Sequence, residues 1–287
     1  MLLLNASGCL DALTAPDVAR QLDAFVTKTV TPEQRDGNQP PRIAETDFGM
    51  LNAIGLANPG RDRFLGRNLP ELTTILGLPI WVSLGGFSAV DYAETCAALP
   101  VDAVAAIELN LSCPNVDEAP ESAAEIVAAC RAATQLPLYA KLSPAAWDVT
   151  EVARAVEAAG ADGLSLVNTI RGVVLEADLR PRLANATGGY SGPALKPIAL
   201  AAIFACRRAT DLPIVGMGGV QSGRDVLEFV ACGATHVALG TTLFSDPEAP
   251  RRVRAELRTA LDEAGFERVE DAFCAAHEPV AAMDNHV

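Results

Sequence analysis

The chain has few aromatic residues (5%) and only three histidines, and its 22 lysines and arginines are outnumbered by 36 acidic residues. The resulting net charge of −14 argues against sequence-independent nucleic-acid binding, which needs a basic surface to neutralise phosphates, and disfavours an anionic membrane surface. No apolar run approaches the ~20 residues of a membrane span. The start, MLLLNASGCL, has neither the basic n-region nor the long h-region of a secretory signal. Cys9, Cys96, Cys113, Cys130, Cys206, Cys232 and Cys274 stand singly, without a CxxC and without histidine at ligand spacing, so neither a zinc site nor an iron–sulfur cluster is encoded. Their odd number disfavours a disulfide framework. No internal repeat, low-complexity run or linker marks a second domain, and the expectation is a single domain, 1–287, soluble in the cytoplasm.

What is present is a rhythm. Half of the residues are hydrophobic, and they fall into short apolar runs that each end in a polar or glycine stop and are followed by alanine-rich helical patterns. The strand-like runs are LLLNASG (2–8), FVTKTV (25–30), PIWVSLGG (79–86), AAIELN (105–110), LYAKLS (138–143), GLSLVN (163–168), PIVGMGG (213–219) and HVALGT (236–241). Helices are expected after Thr14 as cap, with Pro16 and Asp17 in the first turn, and over 62–76, 89–99, 121–134, 149–159, 196–208, 226–232 and 249–264. This alternation is the sequence form of a (β/α)8 TIM barrel, an α/β fold. An open doubly wound sheet would carry a GxGxxG turn after the first strand, and none is there. The irregular stretches after the second and sixth strands are expected to lie over the catalytic face, the first with function or small strands of its own.

In a barrel the residues at the carboxyl ends of the strands surround one mouth. Here they are Ser7 and Gly8, Lys28, Ser83, Asn110 with Cys113, Lys141, Asn168 with Thr169, Gly218 with Gly219, and Gly240 with Thr241. The glycines after the last two strands suit backbone binding of a phosphate or simply tight turns. Lys141 lies between Ala140 and Leu142, where a cation needs an anionic partner or a depressed pKa. It suits either a Schiff base or stabilisation of negative charge on a cofactor. Asn110, Asn115 and Asn168, with Asn52, offer donor and acceptor pairs to a planar, imide-like ligand. A free cysteine beside a turn, such as Cys113, is on its own terms an ordinary small apolar residue.

NASG (5–8), VTKTVTPEQRDGNQPPR (26–42), LNAIGLANPG (51–60), ELNLSCPNV (108–116), AKLSP (140–144), LVNT (166–169), GGYSGPALKP (188–197), GMGGV (216–220) and LGTTLF (239–244) span nearly the whole chain. Together they resemble the class 1 dihydroorotate dehydrogenases, flavin-dependent (β/α)8 barrels of pyrimidine synthesis. The resemblance implies FMN, with its phosphate at Gly218, Gly219, Gly240 and Thr241 and its ring near Ala6, Ser7, Lys28, Asn110, Lys141 and Gly189. It implies orotate at Asn52, Ile54, Gly55, Leu56, Asn110, Asn115, Asn168 and Thr169, with Lys28 near both ligands. Cys113 matches the general base that removes the C5 proton while hydride leaves C6. A thiol base of ordinary pKa, ~8.5, makes activity rise towards alkaline pH.

GNQPPR, LNAIGLANPG and GGYSGPALKP are most similar to the NAD-linked subclass, whose partner subunit carries FAD and an iron–sulfur cluster; the fumarate-linked homodimers are the alternative. A homodimer is implied in either case, within a heterotetramer in the first. Members of the family usually carry a longer segment ahead of NASG, so the expectation is either that a plug at the barrel's bottom is missing here or that the start is misassigned. The acidic run DEAPES replaces the glycine-rich run of the NAD-linked subclass, which bears on substrate choice and lid behaviour. Other readings are an oxidoreductase of dihydrouracil-type rings, a Schiff-base lyase using Lys141, and a non-catalytic flavin-binding subunit.

Overall fold

The computed structural model describes residues 1–111, 120–146 and 148–278. In chain order the elements begin β1 (Leu3–Asn5), α1 (Pro16–Ala19), β2 (Phe25–Val26), β3 (Ile43–Thr46), β4 (Gly49–Asn52), α2 (Arg61–Arg63), a π-helical stretch Phe64–Asn68, α3 (Leu69–Leu76) and β5 (Ile80–Leu84). They continue with α4 (Ala89–Ala98), β6 (Ala106–Asn110), α5 (Pro120–Ala133), β7 (Leu138–Leu142), α6 (Val149–Ala158), β8 (Gly163–Leu166), β9 (Ile170–Gly172) and β10 (Gly188–Ser191). The last are α7 (Lys196–Arg207), β11 (Ile214–Met217), α8 (Gly223–Ala231), β12 (His236–Leu239), α9 (Thr242–Ser245) and α10 (Ala249–Ala264).

Eight parallel strands pair in the order β1-β12-β11-β8-β7-β6-β5-β2, so neighbours in sequence are neighbours around the sheet. This is the expected (β/α)8 barrel. Alternation sorts the side chains. Leu4, Val26, Trp81, Ala106, Tyr139, Val215, Met217 and Ala238 form a cluster inside the barrel. Leu3, Phe25, Ile80, Val82, Ile107, Leu138, Ile214 and Val237 pack outwards with the helices. Trp81 and Tyr139 stack obliquely with ring centroids 4.4 Å apart, and the Tyr139 ring occupies the space that a Cβ on Gly163 would need.

The seam between β1 and β2 is closed by a side chain. The buried amide of Asn5 donates to the Val26 carbonyl at 2.8 Å and accepts from the Val26 N–H at 2.9 Å, and it also donates to Ala6 O at 3.1 Å. One asparagine thus bridges the two strands where no backbone ladder joins them.

Above the barrel, β3-β4-β10-β9 form an antiparallel sheet, the small strands expected of the long stretch after β2, joined by strands from the segment after β8. Helix starts follow local chemistry. Ser88 caps α4, Asp148 caps α6 through the N–H groups of Thr150 and Glu151, and Ser222 with Asp225 makes a capping box on α8. Thr14 does not cap α1 as expected: its hydroxyl bonds to Asp11 instead, and Pro16 starts the helix with its fixed φ. The helix expected over 62–76 is interrupted by the π-helical stretch. Among the described residues, no helix is long and apolar enough to cross a membrane.

Candidate active site

Lys141 is 5% exposed, and its burial is made possible by two neighbours. Its Nζ donates to Ser7 Oγ at 3.0 Å and to Glu108 Oε1 at 3.4 Å. Ser7 follows β1, Glu108 is an interior residue of β6, and Lys141 is in register with Asn110 on β6 and Ser165 on β8. Glu108 is itself 1% exposed. The anionic partner that the apolar setting of Lys141 requires is therefore Glu108, absent from the residues expected at the site. Its signal was present in IELNLSCPN: a carboxylate on the alternating face of a strand next to a lysine-bearing strand. A barrel buries both faces of its strands, so that alternation marks a polar interior layer and not a solvated face.

Amide groups form the next part of the mouth. Asn168 Nδ2 donates to Asn110 Oδ1 at 3.1 Å, and Asn110 Nδ2 reaches Thr29 Oγ1 at 3.5 Å. Tyr92 Oη donates to the Asn110 carbonyl at 2.6 Å and Thr29 shares a hydrogen bond with Ser83 at 3.0 Å, which fixes the end of β6 from α4 and β5. Asn168 Oδ1 accepts from Thr169 N at 2.8 Å. Thr169 lies against Gly189, where any Cβ would collide with it, and Asn52 Nδ2 donates to Gly189 O at 3.3 Å. The consecutive pair Asn168–Thr169 so joins the barrel end to the upper sheet. Ile54, Gly55 and Leu56 follow β4, with Ile54 O accepting from Asn38 N at 3.0 Å. Gly55 and Leu56 both have positive φ, 74° and 58°, a conformation that is uncommon for leucine and recurs at ligand sites.

Ala6 is tied to β12 by its N–H to Leu239 O at 2.7 Å, and Lys28 runs along Gly8, its Cδ 3.1 Å from where a Cβ would stand. Gly218 and Gly219 adopt φ of 120° and 80°, and Gly219 packs against the Gly192 carbonyl of the GGYSG turn, which adds Gly192 to the residues around that loop. A Cβ at Gly240 would find only Ala6 Cβ at 3.9 Å and Cys9 Sγ at 4.0 Å. Thr241 leads into α9. Desolvation pushes the Cys9 thiol up, opposed by the charges of Lys141 and Lys28 and reinforced by Glu108, so Cys9 is a neutral thiol beside the site. Cys113 and Asn115 lie outside the described residues. Among those described, no group of three His, Cys, Asp or Glu could hold a metal ion.

Residues 2–261 match the family model described as dihydroorotate dehydrogenase. The chain belongs to the dihydroorotate dehydrogenase family. It is 46% identical over 259 residues to the dihydroorotate dehydrogenase B (NAD(+)) catalytic subunit of Halalkalibacterium halodurans, covering 87% of this chain and 85% of the relative. It is 45% identical over 260 residues to the subunit of the same name from Listeria welshimeri, covering 88% and 85%. The corresponding subunit of Anoxybacillus flavithermus is 44% identical over 259 residues, covering 87% and 83%. In this member of the dihydroorotate dehydrogenase family the mouth thus presents a fixed cation at Lys141, paired amides at Asn110 and Asn168, and glycine turns at Gly218–Gly219 and Gly240.

Proposed function

We propose that this chain is the catalytic subunit of an NAD-linked dihydroorotate dehydrogenase, oxidising dihydroorotate to orotate in pyrimidine biosynthesis with FMN as its cofactor. Family membership carries the reaction, and the buried Lys141 ammonium between Ser7 and Glu108 is the feature that supports a flavin. The residues fit such a group. A cation in a water-poor site offsets negative charge far better than one in bulk water. The positive φ at Gly218 and Gly219 and the open space over Gly240 leave backbone N–H groups accessible to a phosphate.

In this reading Gly218, Gly219, Gly240 and Thr241 hold the phosphate, and Ala6, Ser7, Lys28, Asn110, Lys141 and Gly189 contact the ring. When bound, FMN supplies the acceptor for the hydride that leaves C6 of the substrate. Cys113 takes the C5 proton as general base. Asn52, Asn110, Asn115, Asn168 and Thr169, with the 54–56 turn, hold the pyrimidine ring, and Lys28 serves both ligands. The hydrogen bonds among Asn110, Asn168 and Thr29 hold these amides in place before substrate arrives, which lowers the ordering cost of binding. An ion-paired Lys141 suits a fixed charge and not a Schiff-base nucleophile, which must be neutral. We further propose a homodimer that passes electrons to a partner subunit carrying FAD and an iron–sulfur cluster.

Turnover of the purified chain with a dye acceptor tests this reading. Dihydroorotate should be oxidised and dihydrouracil should not, and heat should release FMN. Preference for dihydrouracil would point to the related dihydropyrimidine oxidoreductases.

A further inference from the structure

Glu108 has no place in the chemistry described so far, and it is among the most deeply buried charged residues of the protein, 1% exposed. It sits in the same interior layer as two unusual neighbours. Lys141 meets it at 3.4 Å, longer than the 2.7–2.9 Å of a well-formed charge-assisted hydrogen bond, while a shorter bond of 3.0 Å ties the same ammonium to the neutral Ser7 hydroxyl. Ser165, in register with Lys141 on β8, buries a hydroxyl that has no hydrogen-bond partner among the described residues. The ammonium is thus shared between a neutral acceptor towards the mouth and an anion set back in the barrel. In a dry interior the pull between that anion and the ammonium is barely screened, so Glu108 draws the ammonium back from the mouth and weakens the positive charge that Lys141 presents there.

We propose that Glu108 is a positioning residue that sets, through Lys141, how strongly the site favours the reduced cofactor. The inference rests on the flavin reading above. Two-electron reduction places negative charge on the flavin ring, which the Lys141 ammonium stabilises. The carboxylate of Glu108 weakens that stabilisation, keeps the bound flavin from being held too firmly in its reduced form, and so leaves electrons free to pass onward. Removing the carboxylate charge without changing shape should make the flavin easier to reduce.

The test is the midpoint potential of the bound flavin, read from visible absorbance during reductive titration against a dye of known potential. Glu108→Gln should raise the reduced-to-oxidised ratio at fixed solution potential at least tenfold, ~30 mV for a two-electron couple. Glu108→Asp keeps the charge but withdraws it by one methylene, so its potential should lie between those of the wild type and Glu108→Gln; it carries the test alone if the glutamine variant does not fold. In a Lys141→Met background the effect of Glu108→Gln should disappear. An unchanged or lowered potential in Glu108→Gln overturns the proposal, as does a shift that persists without Lys141, since the carboxylate would then act on the cofactor directly. Wild-type protein that binds no flavin would instead defeat the functional reading on which the proposal stands.

Discussion

Replacing Asn5 by alanine should open the barrel at its seam. The substitution removes the three hydrogen bonds of the Asn5 amide, two to Val26 and one to Ala6, and leaves the N–H and C=O of Val26, a residue 2% exposed, without partners. Orphaning a buried polar group costs ~1–3 kcal/mol, so the pair should cost about 4 kcal/mol, a large share of a net stability of ~5–15 kcal/mol. With an unfolding entropy of ~2.1 cal/mol/K per residue, the 287 residues turn that loss into a fall in Tm of about 7 °C. Urea denaturation followed by circular dichroism gives the free energy directly. Asn5→Asp sharpens the test: it retains an acceptor for the Val26 N–H but faces the Val26 carbonyl with a second acceptor and buries a charge, so it should be at least as damaging as alanine. Since Ser7 lies two residues beyond Asn5 and Lys28 two beyond Val26, cofactor affinity should fall with stability. A loss below ~1 kcal/mol for Asn5→Ala would mean that backbone packing alone closes the barrel, since that is the worth of a single ordinary hydrogen bond.

Other outcomes follow from the site and its supports. Lys141→Met should slow reduction of the bound cofactor by roughly 10²–10³-fold, the usual effect of deleting one charge-stabilising group, with a smaller change in KM, as measured by anaerobic stopped flow. Cys113→Ser should lower turnover at neutral pH by ~10²–10⁴-fold, the range for loss of a general base, and move the rise in the pH–rate profile to higher pH; full activity at neutral pH would remove Cys113 from that role. Asp225 is desolvated, yet hydrogen bonds from Lys196, Gln221 N and Ser222 outweigh this and hold its carboxyl below its ordinary 3.8. A lowered folded pKa contributes stability above the unfolded value that is lost as pH falls through the folded one. Asp225→Asn should therefore cost ~0.5–2 kcal/mol at neutral pH by undoing the capping box that Asp225 shares with Ser222, and the gap to wild type in urea melts should begin to narrow below about pH 4, near the ordinary carboxylate pKa, and close only as pH falls through the lowered folded pKa.

The barrel was readable because each strand–stop–helix unit carries its own signals: apolar runs of the right length, glycine or polar stops, and alanine-rich helical patterns between them; the caps Ser88, Asp148 and Ser222 emerged only from the structure. Thr14 was misread by one position: the helix begins at Pro16, which makes Ala15 the cap residue, and the Thr14 hydroxyl donates back to Asp11. The π-helical stretch at Phe64–Asn68 left no trace in a periodicity that differs by little from that of an α-helix. At the site, Lys141 and the asparagines stood out as polar groups at strand ends. Glu108 did not, because its partner is chosen by the register between β6 and β7, and register is a property of the assembled sheet. Leu56 was read as part of a motif, and its left-handed backbone belongs to the turn that the surrounding chain imposes. The Asn5 seam was equally hidden, since only closure of the barrel reveals that β1 and β2 lack a ladder.

Anaerobic titration of the purified chain with dihydroorotate, followed through the visible absorbance of the flavin, reads substrate, cofactor and hydride transfer in one trace. Stoichiometric bleaching, restored to the oxidised spectrum when an acceptor is added, is the expected result. A flavin that stays oxidised in excess dihydroorotate, or a folded chain with no visible absorbance, would contradict the assignment.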